Sequence, residues 1–188
     1  MLGLAIFTTG LIAIAILVTY PKLPPLDSLQ HYQPKMPLTI YSADGQIIGV
    51  YGEQRREFTK INDFPDILKN AVIAAEDKRF YEHWGVDVWG IARAAISNIV
   101  AGGVQSGAST ITQQVAKNFY LSSERTFTRK FNEALLAYKI EQSLSKDKIL
   151  ELYFNQIYLG QRAYGFASAA QIYFNKNVKD LTLAEAAM

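Results

Sequence analysis

Leu2 to Tyr20 is an unbroken run without a charged side chain. Crossing a bilayer takes roughly 20 mostly apolar residues, so the pattern predicts a membrane-anchoring helix over residues 1–20. A cleaved leader would show a basic start, a shorter apolar stretch and a small-residue cleavage site. Here nothing basic precedes the run, and Tyr20, Pro21, Lys22 and Pro24 follow it. Flanking charge leaves the orientation open, because Lys22 and Lys35 both lie on the far side. Residues 21–37 lose all periodicity and hold five of the six prolines, which predicts an extended neck. Residues 38–58 place β-prone runs around Asp44-Gly45, a type I′ turn signal, and predict a β-hairpin linker. Glu53, Arg55, Arg56 and Glu57 are expected at its solvated edge.

From residue 59 to 188 the period becomes helical. Pro65 suits the first turn of a helix that runs into Glu76 and ends by Gly85. Val86 to Val100 carries Ile91, Ala95 and Ile99 at helical spacing, with Arg93 as its single charge. Gly102, Gly103 and Gly107 bracket a flexible loop of the kind that covers sites. Ala108 to Leu121 is the next helix, with Ser109 or Thr110 as N-cap. Arg125 to Ser143 follows, with an apolar stripe of Phe131, Leu135 and Tyr138. Lys146 to Leu159 is capped by Ser145 and stopped by Gly160; Ile149, Leu152, Tyr153 and Ile157 face a core, and Asn155 is expected to be structural. Tyr164 to Phe174 has small residues that permit close packing. Thr182-Leu-Ala-Glu185 is a capping box, so a further helix is expected to start there and the chain to be a piece of a longer one.

Composition narrows the classes. At 49% hydrophobic and 19% charged, the chain suits one globular domain plus an apolar segment. A net charge of +2 argues for no nucleic-acid partner. Without cysteine there is neither a disulfide framework nor a thiolate site, and His31 and His83 are too far apart to form a metal pair, so no metal site is expected from the protein itself.

Three clusters could carry chemistry. Glu76, Phe80 and His83 stand at i, i+4 and i+7, so they share one helical face. A carboxylate on a core-facing stripe costs several kcal/mol, roughly, unless satisfied. It is therefore either a bonded structural group or a catalytic one. Ser109, Thr110, Thr112, Gln113 and Gln114 crowd a helix start with uncharged hydrogen-bonding groups, which suits phosphate or sugar hydroxyls as well as ordinary capping. Arg129, Lys130 and Glu133 form either a surface salt bridge or a cationic clamp for a pyrophosphate.

Taken in order, five blocks resemble a known family. They are Glu76-Asp77-x-x-Phe80-x-x-His83-x-Gly85; Gly107 to Gln114 with Lys117-Asn118; Arg129-Lys130-x-x-Glu133; Lys146 to Asn155; and Arg162 to Lys176. Together they resemble the peptidoglycan glycosyltransferase domain (glycosyltransferase family 51) of class A penicillin-binding proteins of the 1a type. The resemblance implies a mainly α, lysozyme-like, two-lobed fold with an N-terminal transmembrane helix and a short β-hairpin. It implies polymerisation of lipid II with inversion and release of undecaprenyl pyrophosphate. Glu76 and Glu133 would be catalytic, Glu76 as the base for the acceptor hydroxyl. Asp77, His83, Ser109, Thr110, Thr112, Gln113, Gln114, Lys117, Asn118, Arg129, Lys130 and Arg162 would bind substrate, with His83 also supporting the loop after Gly85. Glu133 would either orient the cations or hold a divalent ion, Mg or Mn, at the pyrophosphate; orientation is preferred.

Implied partners are lipid II, a lipid-linked glycan chain, the membrane, a C-terminal transpeptidase domain and cell-wall synthesis proteins. The implied place is the bacterial inner membrane, single-pass, with the catalytic domain on the periplasmic side. Asn175 stands where the family often has Gly, at a helix end where both tolerate left-handed backbone. A lytic glycan-cleaving enzyme of similar fold and a non-catalytic cell-wall scaffold are the rival readings.

Overall fold

The computed structural model describes residues 2–30, 32, 34, 37–52, 55–103, 107–121 and 126–188. The chain is mainly helical. Leu2–Thr19 forms one apolar helix, α1, of 18 residues, with Phe7, Leu11 and Leu17 exposed. Among the described residues no helix is long and apolar enough to cross a membrane. The expected transmembrane anchor is corrected accordingly to an apolar helix.

The neck is no free tether. A short helix, α2 (Asp27–Gln30), buries Leu29, and Leu26 is buried beside it. Ser28 Oγ lies 2.7 Å from the Tyr120 hydroxyl, and Lys139 Nζ donates to the Pro24 carbonyl at 2.9 Å. Proline-rich composition concealed two leucines that find a core only in three dimensions. The hairpin forms as expected from β1 (Leu38–Tyr41) and β2 (Ile47–Tyr51), antiparallel, with Gly45 at φ 82° in the turn. The solvated edge holds at Glu57, which is exposed, and fails at Arg56. Strand β3 (Arg55–Arg56) pairs in parallel with β4 (Ala163–Tyr164). Arg56 is 9% exposed; it donates to the Tyr32 hydroxyl and Gln156 Oε1, and lies over the Tyr164 ring. Glu53 lies outside the described residues.

The helical body is organised on α7 (Lys146–Gln156), in which every residue from Ile149 to Asn155 is buried. Around it sit α3 (Asp66–Glu76), α5 (Ile111–Tyr120), α6 (Phe127–Ser143) and α8 (Phe166–Phe174). Phe64, Leu68, Phe80, Ile111, Val115, Leu136, Ile140, Leu150 and Phe154 form the shared core.

Two sequence expectations fail here for the same reason: period locates a stripe but not its partner. In α4 (Val88–Val100) only Ala94 is buried, and Ile91, Ala95 and Ile99 face outward, Ile99 at 80% exposure. In α6 the buried residues are Glu133, Leu136, Ala137 and Ile140, while Tyr138 is exposed, so the core stripe lies one position away from the one expected. Thr126 caps α6 by accepting from Arg129 N; Arg125 lies outside the described residues.

The last helix, α9 (Leu183–Ala186), has the expected capping box. Lys176 Nζ donates to both Glu185 oxygens at 2.8 and 3.0 Å, and Thr182 N and Oγ1 donate to Oε2. Chiefly through the Lys176 bond, the Glu185 carboxyl is held down to about 2, against an ordinary 4.5. A carboxyl depressed in the folded state stabilises that state above its ordinary range and loses the contribution as pH falls. Exchange protection of the α9 amides should therefore drop as pH falls from 4.5 towards 2. Glu185→Gln should remove that pH dependence, which an NMR titration would read.

Candidate active site

Helix α3 stops at Glu76, with Asp77 as its C-cap at φ −157°. Phe80 and His83 therefore lie in the turns that follow and do not continue a helical face. Glu76 is exposed and not set in the apolar surroundings expected of it. Its Oε2 accepts from Gln114 Nε2 at 2.8 Å. Tyr153 of α7 lies close enough to sense this charge: burial first, and then the Glu76 carboxylate, push its phenol well above the ordinary range. The phenol accordingly stays protonated beside the acid.

The turn after Glu76 is bolted to the start of α5. Asp77, 6% exposed, accepts from Ile111 N at 3.0 Å, where a carboxylate also meets the favourable end of the helix dipole. Its other oxygen lies 2.9 Å from His83 Nε2, which donates to it, while His83 Nδ1 has no hydrogen-bond partner. Thr110 Oγ1 donates to Gly85 O at 2.6 Å. Gly85 has φ 88°, and a Cβ there would come within 2.7 Å of the Ala137 backbone, so this close approach to α6 requires glycine.

Thr110 is the N-cap of α5, in a reciprocal capping box with Gln113. Because α5 packs between α6 and α7, its inner face is dry. Thr112 is fully buried and donates to Glu141 Oε1 at 2.6 Å; Gln113 is buried and spends its side-chain oxygen on Thr110 N at 3.0 Å. Both side chains are thus spent within the protein, Thr112 on α6 and Gln113 on the helix start. Gln114, Lys117 and Asn118, spaced i, i+3 and i+4, form the face towards Glu76, with Lys117 and Asn118 exposed.

Glu133 sits on the buried face of α6 at 2% exposure. Arg129 Nη1 donates to one of its oxygens at 3.2 Å, and Lys130 Nζ donates to the other. Lys130 also donates to Ser109 Oγ at 2.8 Å. Arg129 Nε is buried without a hydrogen-bond partner. Two cations thus converge on one desolvated carboxylate and remain net positive, facing the α5 start. A cavity of about 300 Å³ adjoins, lined among others by Glu76, Lys78, Asp87, Arg93, Ser97 and Ser109. Lys78 and Ser97 carried no sequence signal. Among the described residues no group of three or more His, Asp or Glu side chains is placed to hold a metal ion.

Arg162 is not brought to this cluster. It is exposed, at φ 62°, in the turn that leads into β4. Residues 104–106 of the glycine-rich loop lie outside the described residues. Asn175 closes α8 in the left-handed region at φ 52°, as a glycine substitute should.

An acid and a capped helix start on one cavity, joined through Ser109 to an Arg-Lys-Glu cluster, belong with sequence kinship: residues 44–188 match the family described as Transglycosylase. The chain belongs to the transglycosylase family. It is 88% identical over 187 residues to penicillin-binding protein 1A of Neisseria cinerea, a match that takes in 100% of this chain and 23% of that protein. To penicillin-binding protein 1A of Pseudomonas aeruginosa it is 51% identical over 174 residues, 93% of this chain and 21% of that protein. The chain thus spans less than a quarter of the length of these curated relatives. The crystal structure of penicillin-binding protein 1A from Haemophilus influenzae covers 82% of this chain and 13% of its own at 28% identity, with a TM-score of 0.37, too low to bear on the fold.

Proposed function

We propose that this chain polymerises lipid II into glycan strands with inversion, releasing undecaprenyl pyrophosphate, within a lysozyme-like two-lobed architecture. The observation that carries it is the double contact of Lys130, which joins Glu133 to Ser109 and so makes the cationic cluster continuous with the cavity that holds Glu76. A sugar hydroxyl is a weak nucleophile and needs a base within hydrogen-bond reach. Glu76, exposed and aimed by Gln114, takes that proton as the acceptor oxygen attacks the anomeric carbon of the donor. The departing pyrophosphate gathers negative charge, which Lys130, Arg129 and Lys117 stabilise, together with the amides at the α5 start. Cleavage of a glycan by water needs no such clamp, which favours the polymerase over a lytic enzyme.

Glu133 already serves two cations. This supports its role as their orienter and not as a ligand for Mg or Mn, so no step is drawn through a metal. The exposed apolar surface of α1 supports attachment to the bacterial inner membrane, with the body on the periplasmic side, where lipid II would be met. The length of the relatives supports a transpeptidase domain in the same polypeptide; contacts with other cell-wall synthesis proteins are part of the same proposal.

Labelled lipid II incubated with the chain in detergent should give glycan polymer, and a moenomycin-type phosphoglycolipid should suppress it. No polymer overturns the reading. Lys130→Met should lower kcat about 10²–10³-fold, the scale of losing one donor to a developing anion. A loss confined to KM would instead mean that Lys130 binds ground state and transition state alike.

A further inference from the structure

The block Lys146 to Asn155 is one to which the proposed chemistry assigns nothing. Its contacts define a different task. Towards its C-terminal end, Asn155 accepts from Thr59 N at 2.9 Å and donates to Thr59 O at 2.8 Å, and Glu151 accepts from Ile61 N at 3.0 Å. At the other end, Lys146 Nζ donates to His83 O at 2.7 Å and to Glu141 Oε1 at 2.7 Å. The ammonium also lies 4.5 Å from the centre of the Phe80 ring. Glu141 Oε1 accepts in addition from Thr112 Oγ1 at 2.6 Å. One buried helix therefore grips the chain on both sides of Glu76: at residues 59–61, before α3, and at His83, after it.

We propose that Lys146 is a positioning residue for Glu76. It fixes the turn that follows the carboxylate against α5, and so sets where the acid stands relative to Gln114 and the acceptor hydroxyl. The proposal rests on the polymerase reading for its kinetic consequence. The lysine suits the task. Its three N–H donors reach a carbonyl and a carboxylate at once, and its charge faces an aromatic ring. The Glu141 side chain is 4% exposed and that of Lys146 is 21%, so the pair is directional and not a loose surface contact. The three anchored elements are the 77–85 turn, α5 through Thr112, and α6 through Glu141. Displacing a reacting group by about 1 Å can cost about a hundredfold in rate.

The test uses the full chain with labelled lipid II, at a temperature where each variant is folded. Lys146→Met should lower kcat about 10–100-fold, with KM changed by less than about twofold. Lys146→Arg, which keeps charge and donors, should recover most of that loss. Thr112→Val, which removes one of the two bonds to Glu141 Oε1 without stranding a charge, should give the same kcat signature more weakly. In parallel, amide hydrogen exchange without substrate should quicken at residues 77–85 in Lys146→Met and stay slow at 59–61.

An unchanged kcat in folded Lys146→Met overturns the proposal. So does a rise in KM alone, which would mean direct contact with substrate, or an arginine variant as slow as the methionine one. If Lys146→Met does not fold, an unchanged kcat in Thr112→Val overturns it. A parent that makes no polymer would sink the polymerase reading instead. The exchange measurement would still decide the tie between Lys146 and the turn, and unchanged exchange at 77–85 would break it.

Discussion

Glu76→Gln should lower the rate of glycan polymerisation about 10²–10⁴-fold, the usual worth of a positioned general base. It should scarcely alter the fold. Glu76 ends α3 in an exposed position, and its hydrogen-bond donor, Gln114, can bond an amide oxygen in the same way. Surface substitutions of this kind stay within about 0.5 kcal/mol, so the thermal midpoint should be nearly that of the parent. The substitution removes proton affinity and leaves shape and hydrogen bonding. Equal polymer from both proteins would remove Glu76 from the role of base. A loss of the thermal transition would return it to the structural role that the sequence pattern also allows. The cavity beside it explains why the acid is left open: a base buried in the core could not reach a hydroxyl.

Asp77→Ala, one residue further on, should do the reverse and cost stability first. Its carboxylate satisfies both the Ile111 amide and His83 Nε2 in a site nearly closed to water. Removing it leaves two buried donors without acceptors, a loss of about 2–5 kcal/mol. Urea denaturation should show the midpoint falling with the slope unchanged. Asp77→Asn keeps one acceptor oxygen and should recover part of the loss. A neighbouring pair of acids, Glu76 and Asp77, thus divides into an exposed acid and a buried bolt. What separates them is the helix end: the backbone leaves the α-region at Asp77, turning its side chain inward to the α5 amides while Glu76 faces the cleft.

Much of the helical body was legible. The caps at Thr110, Ser145 and Thr182 and the left-handed close at Asn175 are local signals, and local backbone chemistry decides them; the early stop of α3 at Glu76 was not among them. The family was legible too, since five blocks in one order are specific even where each is weak. Period also located the core face of α7, where Ile149, Leu152 and Tyr153 are buried, but it misplaced those of α4 and α6. Thr112 and Gln113 look like ligand groups in sequence because they are polar at a helix start, yet they face α6 and α7. Arg56 looks like a solvated edge, yet a two-residue parallel strand pair draws it inward. Arg162 belongs to the fifth block and stands apart from the cluster.

By itself, then, the amino-acid order determined most of the helical segments, several of their caps, and which acid, amides and cations the chain has for its chemistry. Tertiary structure alone decided which polar groups are spent inside and which face the cavity. The physical reason is that a side chain's role depends on what lies opposite it. The packing of α5 between α6 and α7 dries Thr112 and desolvates Glu133, while the end of α3 leaves Glu76 wet and reachable.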